Sequence, residues 1–228
     1  MKLLRNIPWL LLAFPLILLA GKCVDQHQLM RDANGNWTIV GQIHNDTDIQ
    51  ATSMVLSGKL LDGDGNVLAS TTAPPCPEEL SPHTLAVFEL NFANSAALQP
   101  VSYDVRPVSG HVLDHPLPLL GVTLSGFAAT RTGEGAKVTG TIKSTKTDAR
   151  PYTGCLAFYD AGGKVVTEVT IAGFGGLTAG TPQPLTLPIP VVASAATTAR
   201  FWLIGPTTSA DLFASDFQAA VTEAFAIY

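Results

Sequence analysis

The stretch Trp37-Thr38-Ile39-Val40-Gly41-Gln42-Ile43 decides the fold of this chain, because its residues alternate with the two-residue period of a β-strand. A similar stretch, Ala136-Lys137-Val138-Thr139-Gly140-Thr141-Ile142, follows about 98 residues later. A repeat of this length indicates a duplicated domain, since the units of a solenoid recur every ~20–50 residues. We therefore expect two copies of one β-rich unit.

Three further stretches align between the two copies. They are 61–67 with 159–165, 80–84 with 177–181, and 103–105 with 201–203. The first pair is rich in Asp and Gly and predicts a hairpin turn in each copy, as do Asn34-Gly35 and Gly133-Glu134-Gly135 before the leading strands. Additional strands are predicted at 85–92 and 101–105. Six or seven short strands with turns every ~8–12 residues are typical of an antiparallel β-sandwich. The prediction is an all-β protein with two tandem immunoglobulin-like antiparallel β-sandwich domains.

The domain boundaries follow from the repeat and from the prolines between the copies. Residues 1–22 are predicted to form a signal peptide or membrane anchor, 23–109 the first domain, 110–118 a linker, and 119–228 the second domain with a C-terminal tail. Pro107, Pro116 and Pro118 predict a stiff connection. In the tail, Ser215 and Asp216 are suited to cap a short helix, and a last strand is the alternative.

The N-terminal segment has the pattern of an export signal. Lys2 and Arg5 precede an apolar run from 7 to 21, which is shorter than the ~20 residues of a membrane-spanning helix. Cys23 is a candidate for lipid attachment, although Lys22 stands where a lipoprotein signal has a small residue. Ordinary cleavage near residue 20 or 21 and a retained anchor are the alternatives. All three predict an extracytoplasmic protein, released or anchored, with membrane contact through the N-terminal segment only.

The chain has three cysteines, an odd number for an exported protein. A disulfide between Cys23 and Cys76 would close a loop of about 50 residues within the first domain and stabilise it by about 2–4 kcal/mol. If Cys23 is lipidated, Cys76 and Cys155 become the available pair and join the two domains. Cys23–Cys76 is the favoured pairing, and three free thiols are the remaining alternative. Within its strand, Cys155 is predicted to lie on the face opposite Leu156 and Phe158.

Short motifs in both copies resemble the FxLYD domain. The naming motif falls on Leu156-Ala157-Phe158-Tyr159-Asp160 and, more loosely, on Gly58-Lys59-Leu60-Leu61-Asp62. A later element of the family is similar to Leu80-Ser81-Pro82-His83-Thr84 and Leu177-Thr178-Ala179-Gly180-Thr181. The first copy departs from the pattern, because Gly58 replaces an apolar residue and His83 replaces a glycine. The resemblance implies an immunoglobulin-like sandwich in a secreted or cell-surface protein, and it implies no catalytic residues.

Two motifs resemble metal sites and are interpreted otherwise. Asp62-Gly63-Asp64-Gly65-Asn66 has the alternating oxygen ligands of a calcium loop, but Val67 and Ala73 stand where an EF-hand needs Gly and Glu. We interpret it as a turn. His111 and His115 have the spacing of a zinc pair on a helix. The nearby prolines oppose a helix, so we interpret both as solvated linker residues. No cofactor or metal is predicted.

The composition of the chain and the absence of known catalytic motifs exclude some classes of function. Charged residues make up 14% of the chain and the net charge is −5, which argues against a nucleic-acid partner. The sequence has no serine in a Gly-x-Ser-x-Gly nucleophile elbow and no cysteine–histidine pair in a recognisable catalytic setting, so catalysis is not predicted. Trp37 and Trp202 are expected in cores rather than on an exposed binding surface. The expected role is a non-enzymatic cell-envelope spacer or interaction module that contacts a protein or another envelope component. The alternatives are a glycan or metal-ion binder that uses the interdomain region, and an extracytoplasmic enzyme with an unfamiliar site.

Overall fold

The computed structural model describes residues 22–32, 34–113, 121–147, 152–205 and 220–228, and the regular structure in these ranges is β-strand. The all-β prediction is therefore confirmed. Residues 1–21 of the predicted signal and 114–118 of the predicted linker lie outside the described ranges. Within those ranges, the chain has no helix with the length and apolar character needed to cross a membrane.

The first copy of the repeat forms a sandwich of two three-stranded sheets. Its strands are β1 Lys22–Arg31, β2 Trp37–Asn45, β3 Gln50–Leu61, β4 Val67–Ala73, β5 Leu85–Asn91 and β6 Ser102–Leu113. Sheet A has the order β1-β2-β5 and sheet B the order β4-β3-β6, and all neighbours are antiparallel. Ile39, Phe88 and Leu56 belong to the buried cluster between the two sheets.

The second copy repeats this arrangement and adds two short strands from the tail. Its strands are β7 Val122–Thr132, β8 Gly135–Ser144, β9 Tyr152–Tyr159, β10 Val165–Phe174, β11 Gln183–Ile189, β12 Thr198–Ile204, β13 Ala220–Val221 and β14 Phe225–Ala226. Sheet C has the order β11-β8-β7. Sheet D has the order β10-β9-β12, and both tail strands pair with β12. Phe158 and Phe201 are fully buried in the core of this sandwich.

The Asp-Gly turns predicted from the repeat have the same hydrogen bonds in both domains. The Oδ1 atom of Asp62 accepts the backbone N–H groups of Asp64 and Asn66 at 2.9 and 2.8 Å. Asp160 accepts those of Gly162 and Lys164, both at 2.9 Å. Each aspartate therefore closes its own hairpin, which gives these side chains a structural role.

A glycine recurs at one position of β2 and β8 because an aromatic ring covers it. A Cβ atom on Gly140 would come within 2.6 Å of the Phe127 ring, and one on Gly41 within 2.8 Å of Phe88. The side chain of His27 also lies against Gly41. The Gly of the repeated motif is thus required by packing against a ring rather than by a turn.

The linker prediction was wrong at its start, because β6 continues to Leu113. Pro107 lies inside this strand, opposite Leu56. β6 is an edge strand of sheet B, so one of its two hydrogen-bonding edges has no neighbouring strand in the sheet. A proline, which lacks the backbone N–H, is tolerated in such a strand. His111 is therefore an exposed strand residue opposite Thr52, not a linker residue. His115 lies outside the described ranges.

The strand pairing corrects one alignment between the copies. Val105 lies opposite Gly58, and Phe201 lies opposite Leu156, the counterpart of Gly58. Val105 therefore corresponds to Phe201, two positions from the predicted match. For the tail, the sequence allowed a short helix or a last strand, and the structure has the short strands β13 and β14 between residues 220 and 226. Residues 214–219, which include the proposed helix cap, lie outside the described ranges.

Candidate functional site: the interface and cleft between the domains

The two sandwiches pack face to face, with the outer face of sheet A against the outer face of sheet D. A third apolar cluster lies between them and is separate from both cores. Its buried members are Val40 and Val87 from sheet A with Cys155, Ala157, Tyr159, Val165 and Trp202 from the second domain. The side-chain amide of Gln28 on β1 also donates to the backbone oxygen of Val165 at 2.5 Å. The molecule is therefore a stack of four sheets in the order B, A, D, C.

This packing explains an exception to the predicted alternation. The sequence predicts β2 as a half-buried strand, yet its residues from Thr38 to Gln42 are all buried. One face of β2 contacts the core of its own domain, and the other contacts the second domain. The prediction of one exposed face is therefore wrong for β2.

A disulfide joins Cys76 to Cys155 across this interface. Cys76 is held against the edge of sheet A by two backbone hydrogen bonds with Val87, of 2.6 and 3.0 Å. Cys155 lies on β9, is fully buried, and points away from the core of its domain as predicted. The favoured pairing of Cys23 with Cys76 is therefore wrong, because the Pro-rich loop Pro74-Pro75-Cys76-Pro77 places Cys76 over β9. The alternative pairing, which joins the two domains, is the one present.

The repeat shows why these particular faces dock. In the register of the strands, Cys155, Ala157 and Trp202 correspond to Ser57, Lys59 and Arg106 of the first copy. Sheet D thus carries apolar or small residues where the equivalent sheet B carries polar and charged ones. Burying unpaired charges is costly, so sheet B is unsuited to the same kind of contact. The outer faces of sheets B and D have diverged, and of these two only sheet D is suited to face another domain.

An open cleft of about 390 Å³ lies beside the disulfide, between the Pro-rich loop and β5 on one side and the second domain on the other. Its acidic lining residues are Glu78, Glu79, Glu89 and Glu168. Cys76, Phe88 and Ile204 also contribute to its walls. The described residues that line this cleft include no Lys, Arg or His. Four carboxyl groups therefore share a partly buried space without a cationic side chain among them.

Glu168 on β10 is the most strongly perturbed of these groups. Burial, and after it the nearby charge of Glu89, raises the pKa of its carboxyl to about 7. One hydrogen bond opposes this effect, since the Thr170 hydroxyl donates to Glu168 Oε1 at 3.1 Å. Glu168 therefore changes charge near neutral pH, where an ordinary glutamate is ionised.

The carboxyls of the first domain are shifted in the same direction. Burial raises the pKa of Glu89, and the Thr38 hydroxyl, 3.3 Å from Glu89 Oε1, lowers it in part. Burial and the charge of Glu78 raise the pKa of Glu79. The cleft therefore favours neutral carboxyl groups on both of its sides.

A second, smaller cleft of about 210 Å³ lies between the domains, where Arg200 and Trp202 face Glu79 and Leu85. Trp202 is 2% exposed, but it packs in the interface rather than in a domain core. The hydroxyl of Tyr159 is buried without a hydrogen-bond partner, and burial raises its pKa to about 12. Trp202 is thus buried as predicted, at a place that the sequence alone did not indicate.

The remaining candidates of the sequence lie apart from the cleft. The backbone of Cys23 lies in β1 opposite His44, and its lipid attachment stays a prediction. Trp37 packs against the core of the first domain, and the Arg31 guanidinium stacks on its ring at 3.9 Å. Asp62 forms the turn described above. No group of three or more His, Cys, Asp or Glu side chains in the described ranges is placed to hold a metal ion.

Sequence reasoning missed Glu89 and Glu168, because the residues that surround them come from distant parts of the chain. One signal was present: each glutamate stands in the middle of a strand otherwise built of apolar residues and threonine or asparagine. The predicted outward direction of Cys155 was the second signal.

Comparison with known proteins does not assign this chain to a family. No family model matches the chain, and no curated protein matches it. A match among solved structures is red sea bream transglutaminase, with 13% identity and a TM-score of 0.23. The match covers 90% of this chain and 32% of that structure, so the chain spans about a third of that protein's length. A similarity this low carries no functional argument.

Proposed function

We propose that this chain is an exported, non-enzymatic protein of the cell envelope that acts as a rigid interaction module. The observation that carries the proposal is the disulfide between Cys76 and Cys155, which joins two domains across a packed interface. Structural disulfides form and persist in oxidising compartments and are rare in the cytoplasm of most organisms. The N-terminal export pattern of the sequence supports the same location.

Face-to-face packing favours an interaction module over a long spacer. Two sandwiches joined end to end would span twice the length of one, whereas stacked sandwiches present a short, thick body. The strand edges and end loops stay available for contact with a partner, which is how antiparallel sandwiches commonly bind. The partner is proposed to be a protein or another envelope component.

The test is fractionation of the native host combined with thiol labelling. The proposal expects the protein outside the cytoplasm, in the membrane or the medium, with Cys76 and Cys155 protected from an alkylating reagent until reduction. A Cys155→Ser variant serves as the control, since its Cys76 should be labelled without reduction. Recovery from the cytoplasm with all thiols free would contradict the proposal.

Capture of a small ligand between the domains is the second candidate, and the 390 Å³ cleft is the observation that favours it. Pockets between domains are common ligand sites, although most are more apolar than this one. A thermal-shift screen with glycans and divalent cations tests it. Stabilisation that is present in the wild type and lost in Glu89→Gln would support a ligand in the cleft, and an equal response of both proteins would exclude one there.

A further inference from the structure

The contact between the two domains brings carboxyl groups from both sides into one cleft. β5 and the loop before it contribute Glu89, Glu78 and Glu79, and β10 contributes Glu168. The other described residues of the second domain that line the cleft are Thr153, Thr170, Ile204 and Gly205, which do not titrate. The negative charge of Asp32 also acts on Glu89. Among the residues that the structure describes, every charged group that faces Glu168 in the cleft is therefore of the same sign.

Like charges in a partly buried space repel each other more strongly than they do in water. Here the repulsion acts between domains, because Glu89 belongs to one sandwich and Glu168 to the other. A proton on Glu168 removes the charge that crosses the interface and leaves the apolar cluster of Val40, Val87 and Trp202 to hold the domains together. Loss of that proton adds a buried negative charge beside Glu89.

We propose that this carboxyl cluster makes the docking of the two domains sensitive to pH, with protonation of Glu168 closing the interface and its ionisation loosening it. The disulfide limits the movement, since it keeps Cys76 next to Cys155 in both states. The device goes beyond the proposed interaction function, and it operates wherever the protein is located.

The direction in which docking changes with pH follows from the raised pKa of Glu168. In the docked state this carboxyl holds its proton up to about pH 7, whereas a glutamate in water loses it near 4.5. Docking is therefore unimpeded below about pH 4.5, weakens as the pH rises through this window, and is weakest above about 7. Because each unit of pKa is tenfold in an equilibrium constant, docking weakens by up to roughly two orders of magnitude.

Trp202 provides the measurement, because it is buried in the interface. The chain has three tryptophans, so the full chain with Trp9→Phe and Trp37→Phe leaves Trp202 as the reporter. Quenching of its fluorescence by acrylamide, which is uncharged, is measured from about pH 5 to about pH 9. The series is run with the disulfide intact and again with Cys76→Ala and Cys155→Ala, where the tether is absent.

The proposal expects the quenching constant without the tether to rise roughly threefold or more between these limits, with a midpoint near 7. It expects a smaller rise with the tether. Glu168→Gln should abolish the rise, because the amide has the same shape and no charge to gain. Glu134→Gln, an exposed residue of the β7–β8 turn, is the matched control and should keep the rise.

Three results would overturn the proposal. The first is a quenching constant that does not change with pH in the chain without the tether. The second is an undiminished rise in Glu168→Gln. The third is a loss of the β-sheet circular dichroism signal at the same midpoint, because that would show unfolding of the sandwiches rather than separation of intact domains.

Discussion

Glu168 illustrates how a single residue acquires its chemistry from the packing of distant segments. Its carboxyl lies next to Glu89 of the first domain, and the described residues that line the cleft they share include no cationic side chain. As a consequence, the Glu168 carboxyl holds its proton up to nearly neutral pH. The stability of the protein should therefore depend on pH through this group.

The wild type should lose roughly 2–3 kcal/mol of unfolding free energy between about pH 4.5 and 7 because of Glu168, since the folded state binds the proton more tightly than the unfolded state. Glu168→Gln should remove this loss and be more stable than the wild type at about pH 8. Urea unfolding at a series of pH values checks it. If Glu168→Gln and the wild type lose stability in parallel, the raised pKa is refuted.

Gly140 shows the opposite case, in which a small side chain is required. Gly140→Ala should destabilise the protein by about 1–3 kcal/mol, because the new methyl group would meet the Phe127 ring at 2.6 Å. Gly175→Ala is the matched control, since nothing lies within 4 Å of its Cβ position. Thermal unfolding compares the two, and equal melting temperatures would contradict the assigned contact.

At the scale of the elements, the Pro-rich loop and β9 meet through the disulfide. Cys155→Ser should lower stability by about 2–4 kcal/mol, because the bond closes a loop between residues 79 positions apart. Serine is the natural replacement, since Ser57 is its counterpart in the first copy. Cys23→Ser is the control and should leave stability and the disulfide unchanged. Denaturant unfolding under non-reducing conditions measures both, and a larger effect of Cys23→Ser would contradict the pairing.

The elements were largely predictable because local patterns define them. The alternation in β2 and β8, the Asp-Gly turns at 62–66 and 160–164, and the outward direction of Cys155 all depend on neighbours in the chain. The extension of β6 through Pro107 was not predictable from local pattern, because it depends on the edge position of that strand. The burial of both faces of β2 was also missed, since the second face is covered by another domain.

The candidate site was predictable only in outline. The sequence left open a disulfide between the domains, but it could not rank that pairing above Cys23–Cys76, because chain separation says little about which faces dock. The grouping of Glu89 with Glu168 depends on the relative placement of two sandwiches. No periodicity within either strand encodes that placement.

At the scale of the whole molecule, the outer faces of sheets A and D share an apolar cluster, and the positions equivalent to several of its residues are polar on sheets C and B. Sheet B has Lys59 and Arg106 where sheet D has Ala157 and Trp202. On sheet C, Thr139 stands where sheet A has Val40. The docking of A on D therefore has no matching counterpart between C and B, and further chains should not add to the stack by the same contact.

Replacing Trp202 with the arginine found at the equivalent position of the first copy should separate the domains. In a chain that also carries Cys76→Ala and Cys155→Ala, Trp202→Arg should increase the radius of gyration by roughly a quarter, because two linked bodies replace one compact body. Small-angle scattering measures this at about pH 5, where docking is stronger than at neutral pH. An unchanged radius would show that the apolar cluster does not hold the domains together.

Cys76 and Cys155 join two domains that are packed face to face, and the proposed function depends on this link. Mass-spectrometric mapping of the unreduced protein from its native host tests it most directly. We expect one disulfide-linked peptide pair that contains Cys76 and Cys155, with Cys23 either modified or unpaired. A linked pair that contains Cys23 and Cys76, or three free cysteines, would contradict the interface and the function proposed from it.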